Sequence, residues 1–355
     1  MQTTKSTKTL KVRIKDKHAP LLREWARSVN FAWNYINELS SRSIRERGRF
    51  LSAYQIQAYT NGASKELGLH SQTIQGITDE YVIRRKQFKK RKLRWRASGG
   101  ARRSLGWVPF KVGAAKWLDG QVVFNKQHFK VWDSYGLSQY RFRSGSFTED
   151  SRGRWYFNVV VDVDRKLSPG QDNIGIDLGL KTVATCSDAQ VLENANFYAG
   201  MEKKLGCAQR AGLKARTKAI HAKIANRRKD ALHKFSNALV ARCGLIVVGD
   251  VSSHQLVKTQ MAKSVLDAGW GQLKSMLEYK CENAGIHFMV VNENYTTQTC
   301  SSCQQLPASR PKGIAGLGIR EWICSECGVT HDRDVNAARN ILALGHERLA
   351  VGIPH

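Results

Sequence analysis

The stretch Cys324-Ser325-Glu326-Cys327, with Asp332-Arg333-Asp334-Val335-Asn336-Ala337-Ala338-Arg339-Asn340-Ile341 shortly after it, decides how the rest of this sequence is interpreted. A matching pair of cysteines stands upstream in Cys300-Ser301-Ser302-Cys303. Two Cys-x-x-Cys units supply the thiolate ligands of a tetrahedral Zn²⁺ site. The sequence therefore predicts a zinc ribbon bound by Cys300, Cys303, Cys324 and Cys327, with redox or disulfide chemistry as the alternative. The adjoining motif adds carboxylates that can bind a catalytic metal ion.

The other cysteines and the amino terminus bear on where the protein resides. Cys186, Cys207, Cys243 and Cys281 stand singly in segments that pattern as strands and helices, so we expect small buried hydrophobes and no disulfide framework. The amino terminus lacks the apolar core of a signal peptide, and no apolar run approaches the ~20 residues of a membrane span. We expect a soluble protein of the cytoplasm.

The charge of the chain indicates which class of partner it binds. The sequence has 57 Lys and Arg against 29 Asp and Glu in 355 residues, a formal net charge of +28, and 42% of its residues are hydrophobic. This composition suffices for buried cores in on the order of two or three domains. The positive field needs a polyanion to neutralise it. Nucleic acid is the expected partner, and an acidic membrane surface is the weaker alternative.

The first part of the chain patterns as a strand followed by helices. Residues 9–15 alternate apolar and basic side chains, and residues 18–40 carry apolar residues at three- and four-residue spacing, which predicts a strand and a long amphipathic helix. Residues 52–95 also pattern as helix. They end in a basic block with interleaved aromatic residues, for which phosphate contact is favoured over a merely solvated helix face. The predicted contacts are Arg84, Arg85, Lys89, Lys90, Arg91 and Arg94.

Short strand patterns follow between residues 107 and 163, separated by turns such as Asp119-Gly120 and Ser144-Gly145. Several alternate apolar and polar side chains, which predicts a small β-barrel or sheet that includes the strand at residues 9–15. Residues 166–170 pattern as a domain linker.

The second half opens with a buried strand pattern, Asn173-Ile174-Gly175-Ile176-Asp177-Leu178-Gly179. A buried strand that ends in Asp and a glycine turn is how ribonuclease-H-like nucleases present their first metal ligand, while a turn-forming Asp or a nucleotide-binding ATPase is the alternative. A long basic helical segment at 201–242 predicts phosphate contacts at Arg227 and Arg228. Two further apolar strands, at 245–248 and 286–293, end near Asp250 and at Glu293.

Together these segments closely resemble the TnpB family, the transposon-encoded RNA-guided DNA endonucleases related to compact type V CRISPR effectors. The resemblance rests on Gly175–Gly179, Gly249-Asp250, Asp267–Gly271, the paired cysteines and residues 332–342. It covers essentially the whole chain, although its specific motifs lie between residues 173 and 342.

The resemblance implies an α/β fold organised around a RuvC-like (ribonuclease-H-like) nuclease domain. That domain would comprise residues 169–295 and 330–345, including the basic helical segment 201–242, with the zinc ribbon inserted at 296–329, a wedge-like β-barrel at 1–16 and 104–168, a helical recognition segment at 17–103 and a tail at 346–355. The implied partners are a guide RNA and target double-stranded DNA, with one protein monomer per guide RNA. The implied metal ions are catalytic Mg²⁺ and structural Zn²⁺.

One position departs from the family pattern. Where the family usually has a catalytic glutamate after Ile246-Val247-Val248, this chain has Gly249. Metal-dependent phosphodiester cleavage needs several carboxylates around Mg²⁺. Three explanations follow: Asp250 replaces the glutamate, the chain is a nuclease-inactive RNA-guided DNA-binding protein such as a repressor, or Glu293 supplies the ligand from the neighbouring strand.

We favour Glu293, although a solvated acid at a strand end is its alternative reading. Asp250 would point to the opposite face of its strand, and an inactive site would be free to lose Asp177 and Asp334. The predicted catalytic set is Asp177, Glu293 and Asp334, binding Mg²⁺ and directing water at the scissile phosphate.

Asp334 is preferred to Asp332 as the third ligand because it matches the family motif before Asn336, and Asp332 is then a helix cap or supporting group. Two other classes remain alternatives. A conventional transposase also uses a carboxylate triad, and a plain zinc-ribbon nucleic-acid-binding protein would not need the strand that carries Asp177. If the nuclease assignment is correct, zinc fixes the segment between the second and third catalytic carboxylates.

Overall fold

The computed structural model describes residues 5–164, 167, 170–251, 262–313 and 315–351. The chain divides into two compact units, Met1–Asp164 and Arg165–His355. The predicted linker at residues 166–170 lies mostly outside the described residues, as do the last residues of the predicted tail.

The first unit combines four α-helices with antiparallel strands. Its sheets have the orders β2-β7-β8-β1-β6 and β3-β4-β5, and every strand pair in them is antiparallel. The elements are β1 (Lys5–Ile14), α1 (Ala19–Arg47), α2 (Ala53–Tyr59), α3 (Ala63–Glu66), α4 (Ser71–Gln87), β2 (Trp107–Phe110), β3 (Ala115–Leu118), β4 (Gln121–Phe124), β5 (Gln127–Phe129), β6 (Val131–Trp132), β7 (Phe142–Glu149) and β8 (Trp155–Asp164).

Strand β1 and helix α1 bury the faces that their sequence patterns predict. Leu10, Val12 and Ile14 of β1 are buried, and Leu10 lies opposite Val159 of β8. Helix α1 buries a stripe of apolar residues and ends at Gly48, whose φ of 61° closes the helix in the left-handed conformation that glycine adopts easily. The stripe comprises Leu22, Trp25, Ala26, Val29, Trp33 and Ile36. The predicted strand and amphipathic helix are confirmed.

Helix α4 is shorter than predicted, because it ends at Gln87 instead of continuing to residue 95. Lys89 has a φ of 50°, and the chain beyond it crosses α1 without helical hydrogen bonds. Asn37 bonds both the amide and the carbonyl of Leu93, and Asn34 bonds both backbone groups of Arg96. Side-chain amides can thus satisfy backbone groups that would otherwise favour a helix, and dense like charge disfavours helix continuation.

The second unit is built on one mixed sheet with the order β11-β10-β9-β12-β13. Strand β10 is antiparallel to β9 and β11, whereas β12 is parallel to both β9 and β13. The elements are β9 (Asp172–Asp177), β10 (Thr182–Cys186), β11 (Val191–Glu193), α5 (Glu202–Arg210), α6 (Lys214–Arg242), β12 (Cys243–Gly249), α7 (Ala262–Ala268), α8 (Trp270–Ala284), β13 (His287–Val291), β14 (Glu321–Ile323), β15 (Thr330–Asp332) and α9 (Arg333–Ala350).

Helix α9 lies very close to the sheet, and glycine makes the approach possible. A Cβ atom at Gly175 of β9 would meet the carbonyl oxygen of Ala338 and stand 2.7 Å from the amide nitrogen of Leu342. Gly345 lies in the same way against Val247 of β12. The close packing brings the first turn of α9 to the end of β9. The helix also continues to Ala350, beyond the predicted domain boundary at residue 345.

The cysteines outside the two pairs follow the prediction with one exception. All eight cysteines are free, and Cys186, Cys243 and Cys281 are buried in the second unit, but Cys207 is exposed on α5. The expectation that Cys207 is buried was wrong, because the buried face of α5 consists of Leu205 and Ala208. No helix in the described part of the chain is both long and apolar enough to cross a membrane.

Candidate functional site

Three carboxylates converge at the edge of the sheet where β9, β12 and β13 end. Asp177 is the last residue of β9, Glu293 follows β13, and Asp334 lies in the first turn of α9. Burial raises the pKa of Asp177 to about 7, and the negative charges of Asp334 and Glu293 add to that increase. Three acids that repel each other in a desolvated place are unfavourable without a cation.

Glu293 occupies the space beside Gly249. A Cβ atom built on Gly249 would lie 2.5 Å from Oε2 of Glu293 and 3.3 Å from its Cβ. Oε2 of Glu293 is buried and has no hydrogen-bond partner among the described residues. Burial, followed by the charge of Asp250, raises the pKa of Glu293, and Lys274 opposes the increase. The carboxylate therefore lies where a side chain at position 249 would begin.

Asp250 has a different role. It is exposed, and its Oδ1 accepts a hydrogen bond of 3.4 Å from the amide of Glu293. Asp250 thus supports the turn that carries Glu293, and its own carboxylate does not take the position of the missing glutamate.

The two acids at the start of α9 also differ. Oδ1 of Asp332 accepts from the amides of Asp334 and Val335 at 3.0 and 2.8 Å, which makes Asp332 the helix N-cap. Asp334 is half-buried, and its oxygens accept from Arg333 at 2.8 Å and from Arg320 at 2.7 Å. The negative charge of Asp334 is among the main causes of the raised pKa of Asp177.

The chemistry of this carboxylate cluster suits a divalent cation, although among the described residues only the four cysteines bring their ligand atoms within 4.8 Å of one another. Carboxylate oxygens are the ligands that Mg²⁺ prefers, and one buried oxygen of Glu293 lacks a partner. The raised pKa values of Asp177 and Glu293 indicate that the cluster is electrostatically frustrated in the absence of a cation.

Three side chains that were not predicted as functional hold this site together. The indole Nε1 of Trp270 donates to the carbonyl of Gly179 at 3.2 Å, which anchors the turn after Asp177. Asn336 and Asn340 are buried and donate to the carbonyls of Thr296 and Thr299. The missed signal was the spacing of two asparagines on one face of a helix interior, where asparagine is normally unfavourable.

The four paired cysteines form a cluster that can hold a metal ion. Their Sγ atoms lie within 4.8 Å of one another. The Cys300–Cys327 and Cys303–Cys324 separations are 3.6 and 3.8 Å. A tetrahedron with Zn–S distances of ~2.3 Å has edges of about 3.8 Å. The donor atoms and their spacing therefore fit Zn²⁺.

His331 adds a polar contact to the cysteine cluster. Its Nε2 lies 3.0 Å from Sγ of Cys300, and its ring packs on Trp322 with centroids 4.9 Å apart. Burial by itself would raise the pKa of Cys300, but the amides of Cys303 and Ser302 and the ring of His331 lower it to about 6. The thiolate form that a metal ion needs is already favoured at this cysteine.

The predicted nucleic-acid contacts divide into exposed and buried residues. Arg84, Lys89, Lys90, Arg91, Arg94 and Arg227 are exposed. Arg85 is only 4% exposed, and it donates to Ser40 at 2.6 Å and to the carbonyl of Leu51 at 2.7 Å. The prediction for Arg85 as a surface contact was wrong, because this residue ties α4 to α1 inside the core.

Arg228 is also committed to the protein. Its guanidinium pairs with the buried Asp267 at 3.5 Å and donates to the carbonyl of Leu266. Asp267 in turn accepts from the amide of Tyr198 at 2.8 Å. Arg228 therefore holds α6 against α7, and its predicted role as a free phosphate contact is corrected.

Comparison with known proteins gives two matched regions, one from the last strand of the first unit into the second unit and one within the second unit. A probable transposase family, OrfB_IS605, matches residues 156–260, and the Cas12f1-like TNB domain matches residues 270–341. A cryo-EM structure of a Cas12f1-sgRNA-target DNA complex is similar in fold, with a TM-score of 0.63 and 14% sequence identity, covering 95% of this chain and 99% of that chain.

Curated relatives support the same grouping. A putative RNA-guided DNA endonuclease of Streptomyces pristinaespiralis is 34% identical over 220 residues, covering 58% of this chain and 53% of the relative. The putative RNA-guided DNA endonuclease InsQ of Escherichia coli K12 is 30% identical over 232 residues, covering 57% and 56%. Cas12f1 of Sulfoacidibacillus thermotolerans is 27% identical over 222 residues, covering 54% and 51%. The chain spans only a little over half the length of these relatives.

The protein therefore has a mixed α/β fold similar to that of Cas12f1, with a region that matches the Cas12f1-like TNB domain. The matched regions and relatives are those of the TnpB (IS605) transposase family, to which the chain is similar over residues 156–260 and 270–341, and this confirms the resemblance found in the sequence.

Proposed function

We propose that the protein is an RNA-guided DNA endonuclease of a transposon, which binds a guide RNA and hydrolyses matched double-stranded DNA at a RuvC-like site. The observation that carries the proposal is the carboxylate of Glu293 in the space beside Gly249. It completes a set of three acids with Asp177 and Asp334. Relatives named as RNA-guided DNA endonucleases support the same activity.

The sheet supports a ribonuclease-H-like assignment for the second unit. Three consecutive antiparallel strands, β9 to β11, are extended at β9 by the parallel strands β12 and β13. Ligands of α/β sheets lie beyond the carboxyl ends of parallel strands, and this is the edge at which Asp177 and Glu293 stand. We assign the wedge-like barrel to the strands of the first unit and the recognition segment to its helices.

Mg²⁺ would be held by Asp177, Glu293 and Asp334, and when bound it supplies stabilisation of negative charge on the phosphate. The protein contributes a rigid, largely desolvated arrangement of the acids. Trp270 holds the turn that follows Asp177. Arg320 and Arg333 provide positive charge beside Asp334, where bidentate guanidinium groups suit phosphate oxygens.

Zn²⁺ would be held by Cys300, Cys303, Cys324 and Cys327 in a structural site. We assign it the role of fixing the segment that connects Glu293 to Asp334. We also propose that the protein acts in the cytoplasm with one monomer per guide RNA.

The second candidate is a nuclease-inactive RNA-guided DNA-binding protein, which Gly249 favours because the usual ligand is missing there. The partly buried acids argue against it. A protein without the chemistry would gain stability by losing them, since each desolvated like charge opposes folding.

The test is a cleavage assay with protein purified together with its guide RNA, matched double-stranded DNA and Mg²⁺. Asp177→Ala and Glu293→Ala should each abolish cutting, and the exposed control Glu278→Ala should retain it. Asp250→Ala, which removes only the hydrogen bond to the amide of Glu293, should reduce cutting less than Glu293→Ala does. Equal cutting by Glu293→Ala and wild type would reject the assignment of Glu293. Guided DNA binding without any cutting by the wild type would establish the inactive binder instead.

A further inference from the structure

A cleft of about 1120 Å³ opens in the first unit where the segment after α4 crosses α1. This volume exceeds the ~300–1,000 Å³ of most small-molecule pockets, so it suits part of a polymer. Two aromatic side chains at the cleft are largely exposed, Phe88 at 55% and Trp95 at 57%. The ammonium of Lys92 lies over one face of Trp95, 5.6 Å from the ring centroid, and the remaining exposed surface of the two rings is available for stacking with a ligand.

The charges of the lining are all positive. Arg84, Lys90, Arg94, Arg96 and Arg102 line the cleft, and no acidic residue does. Arg84 is paired with Glu80 at 2.6 Å, and Arg96 is bonded to Asn30 and to the carbonyl of Leu105. Within the described parts of the chain, the side chains of Lys90, Arg94 and Arg102 have no hydrogen-bond or ion-pair partner. These three cations are free to bind an anion.

The backbone that carries these groups is held in place before any ligand arrives. Asn34 and Asn37 bind the backbone of residues 93 and 96 through four hydrogen bonds of 2.8–3.0 Å. Between these anchors, Leu93 and Arg96 are partly buried, whereas Arg94 and Trp95 are exposed. A preorganised backbone lowers the entropic cost of binding at this surface.

We propose that this cleft binds an unpaired stretch of nucleic acid, with its bases stacked on Trp95 and Phe88 and its phosphates bound by Lys90, Arg94 and Arg102. The proposal rests on the proposed function, in which nucleic acid is the partner. It adds that the nucleic acid bound in this cleft is unpaired. A duplex hides the faces of its bases inside the helix, whereas unpaired bases expose them to aromatic side chains. Free cations arranged beside exposed rings therefore match a single strand.

The test uses the full-length Asp177→Ala protein in EDTA, so that cleavage plays no part. Fluorescence anisotropy measures the binding of a labelled RNA homopolymer, a DNA homopolymer and a blunt duplex across a salt series. Trp95→Leu should weaken binding of unpaired strands about 5-fold or more, without changing the salt slope or the binding of the duplex. Arg94→Gln should reduce the salt slope by about 0.7 for a single strand.

The matched controls are Tyr54→Leu, which removes an aromatic side chain that is 84% exposed in the same unit, and the exposed cation variant Lys65→Gln. Phe88→Leu provides a second aromatic variant, and melting curves check the folding of each protein. An effect on both homopolymers assigns the cleft to unpaired strands generally, and an effect on one of them identifies RNA or DNA.

The proposal is wrong if Trp95→Leu binds both homopolymers as Tyr54→Leu does, or if it loses duplex binding to the same extent. Failure of the proposed nuclease would not alter these measurements, because they involve no cutting. Conversely, if the wild type cuts guided DNA but Trp95→Leu does not weaken the binding of single strands, the proposal for the cleft is wrong and the proposed nuclease activity still holds.

Discussion

Moving the carboxylate from position 293 to position 249 tests the inference that Glu293 occupies the space beside Gly249. Gly249→Glu introduces a Cβ atom at 2.5 Å from Oε2 of Glu293, below the 3.0 Å that such contacts essentially never reach, and at 3.2 Å from Cδ1 of Ile341. The carboxylate of Glu293 can swing away, but its Cβ atom at 3.3 Å and the Ile341 side chain leave little room, so we expect this single variant to be destabilised by about 1–3 kcal/mol from overpacking, with a further penalty from a fourth acid. For domains of this size ~1 kcal/mol corresponds to about 2–4 °C in Tm.

The double variant Gly249→Glu/Glu293→Ala removes the competing carboxylate. It should recover most of the lost stability, because only the contact with Ile341 remains tight. The expected coupling energy between the two positions is about 1–3 kcal/mol, within the range for contacting residues. Guided cleavage should be lost in Glu293→Ala and partly restored in the double variant.

Melting curves in EDTA provide the stability measurements, and Gly249→Ala with Glu293→Ala forms a parallel cycle without an added charge. If the effects of the two changes simply add in both cycles, the side chain of Glu293 does not share the space beside Gly249, and the reasoning is refuted. Cleavage by the double variant at the level of Glu293→Ala would separately show that a carboxylate at 249 cannot serve the site.

Three further predictions follow from buried groups. Burial and like charge raise the pKa of Asp177 from 3.8 to about 7, so its ionisation costs stability increasingly from about pH 4 to pH 7. In EDTA at pH 7.5 the free energy of unfolding of Asp177→Asn should therefore exceed that of wild type by ~3–5 kcal/mol, and at pH 3.5 the two should be equal. His331→Ala removes the contact with Cys300 and should weaken Zn²⁺ binding about 10–100-fold in a chelator competition. Arg85→Met should lower Tm without altering the salt dependence of nucleic-acid binding, the opposite of Arg94→Gln, and a reduced salt slope for Arg85→Met would contradict its assignment to the core.

The parts that could be predicted from the sequence are those with a strong local pattern. The alternation in β1 specified which side chains would be buried, and the apolar run before Asp177 specified a buried strand. Cysteine spacing alone identified the cluster of thiols. Each of these signals arises within a few neighbouring residues, so it is present in the sequence before any tertiary contact forms.

The parts that could not be predicted depend on contacts between distant segments. Basic residues look alike in a sequence, yet Arg85 is buried by Ser40 and Leu51, and Arg228 is paired with Asp267. Helix α4 stops at Gln87 because asparagines on another helix bind the following backbone. A local pattern of charge and apolar spacing contains no information about these partners.

Parallel strand pairing explains how the ligand can come from the neighbouring strand. Gly249 lies opposite Val291 in the β12–β13 pair, so the chain leaving β13 passes beside the end of β12. Thr296 binds the carbonyl of Glu293 through both its amide and its hydroxyl, and Asn336 of α9 binds the carbonyl of Thr296 at 3.2 Å. The turn is thus fixed to the helix that carries Asp334. Gly249 then provides the space for the carboxylate of Glu293, because any side chain at position 249 would compete for the same volume.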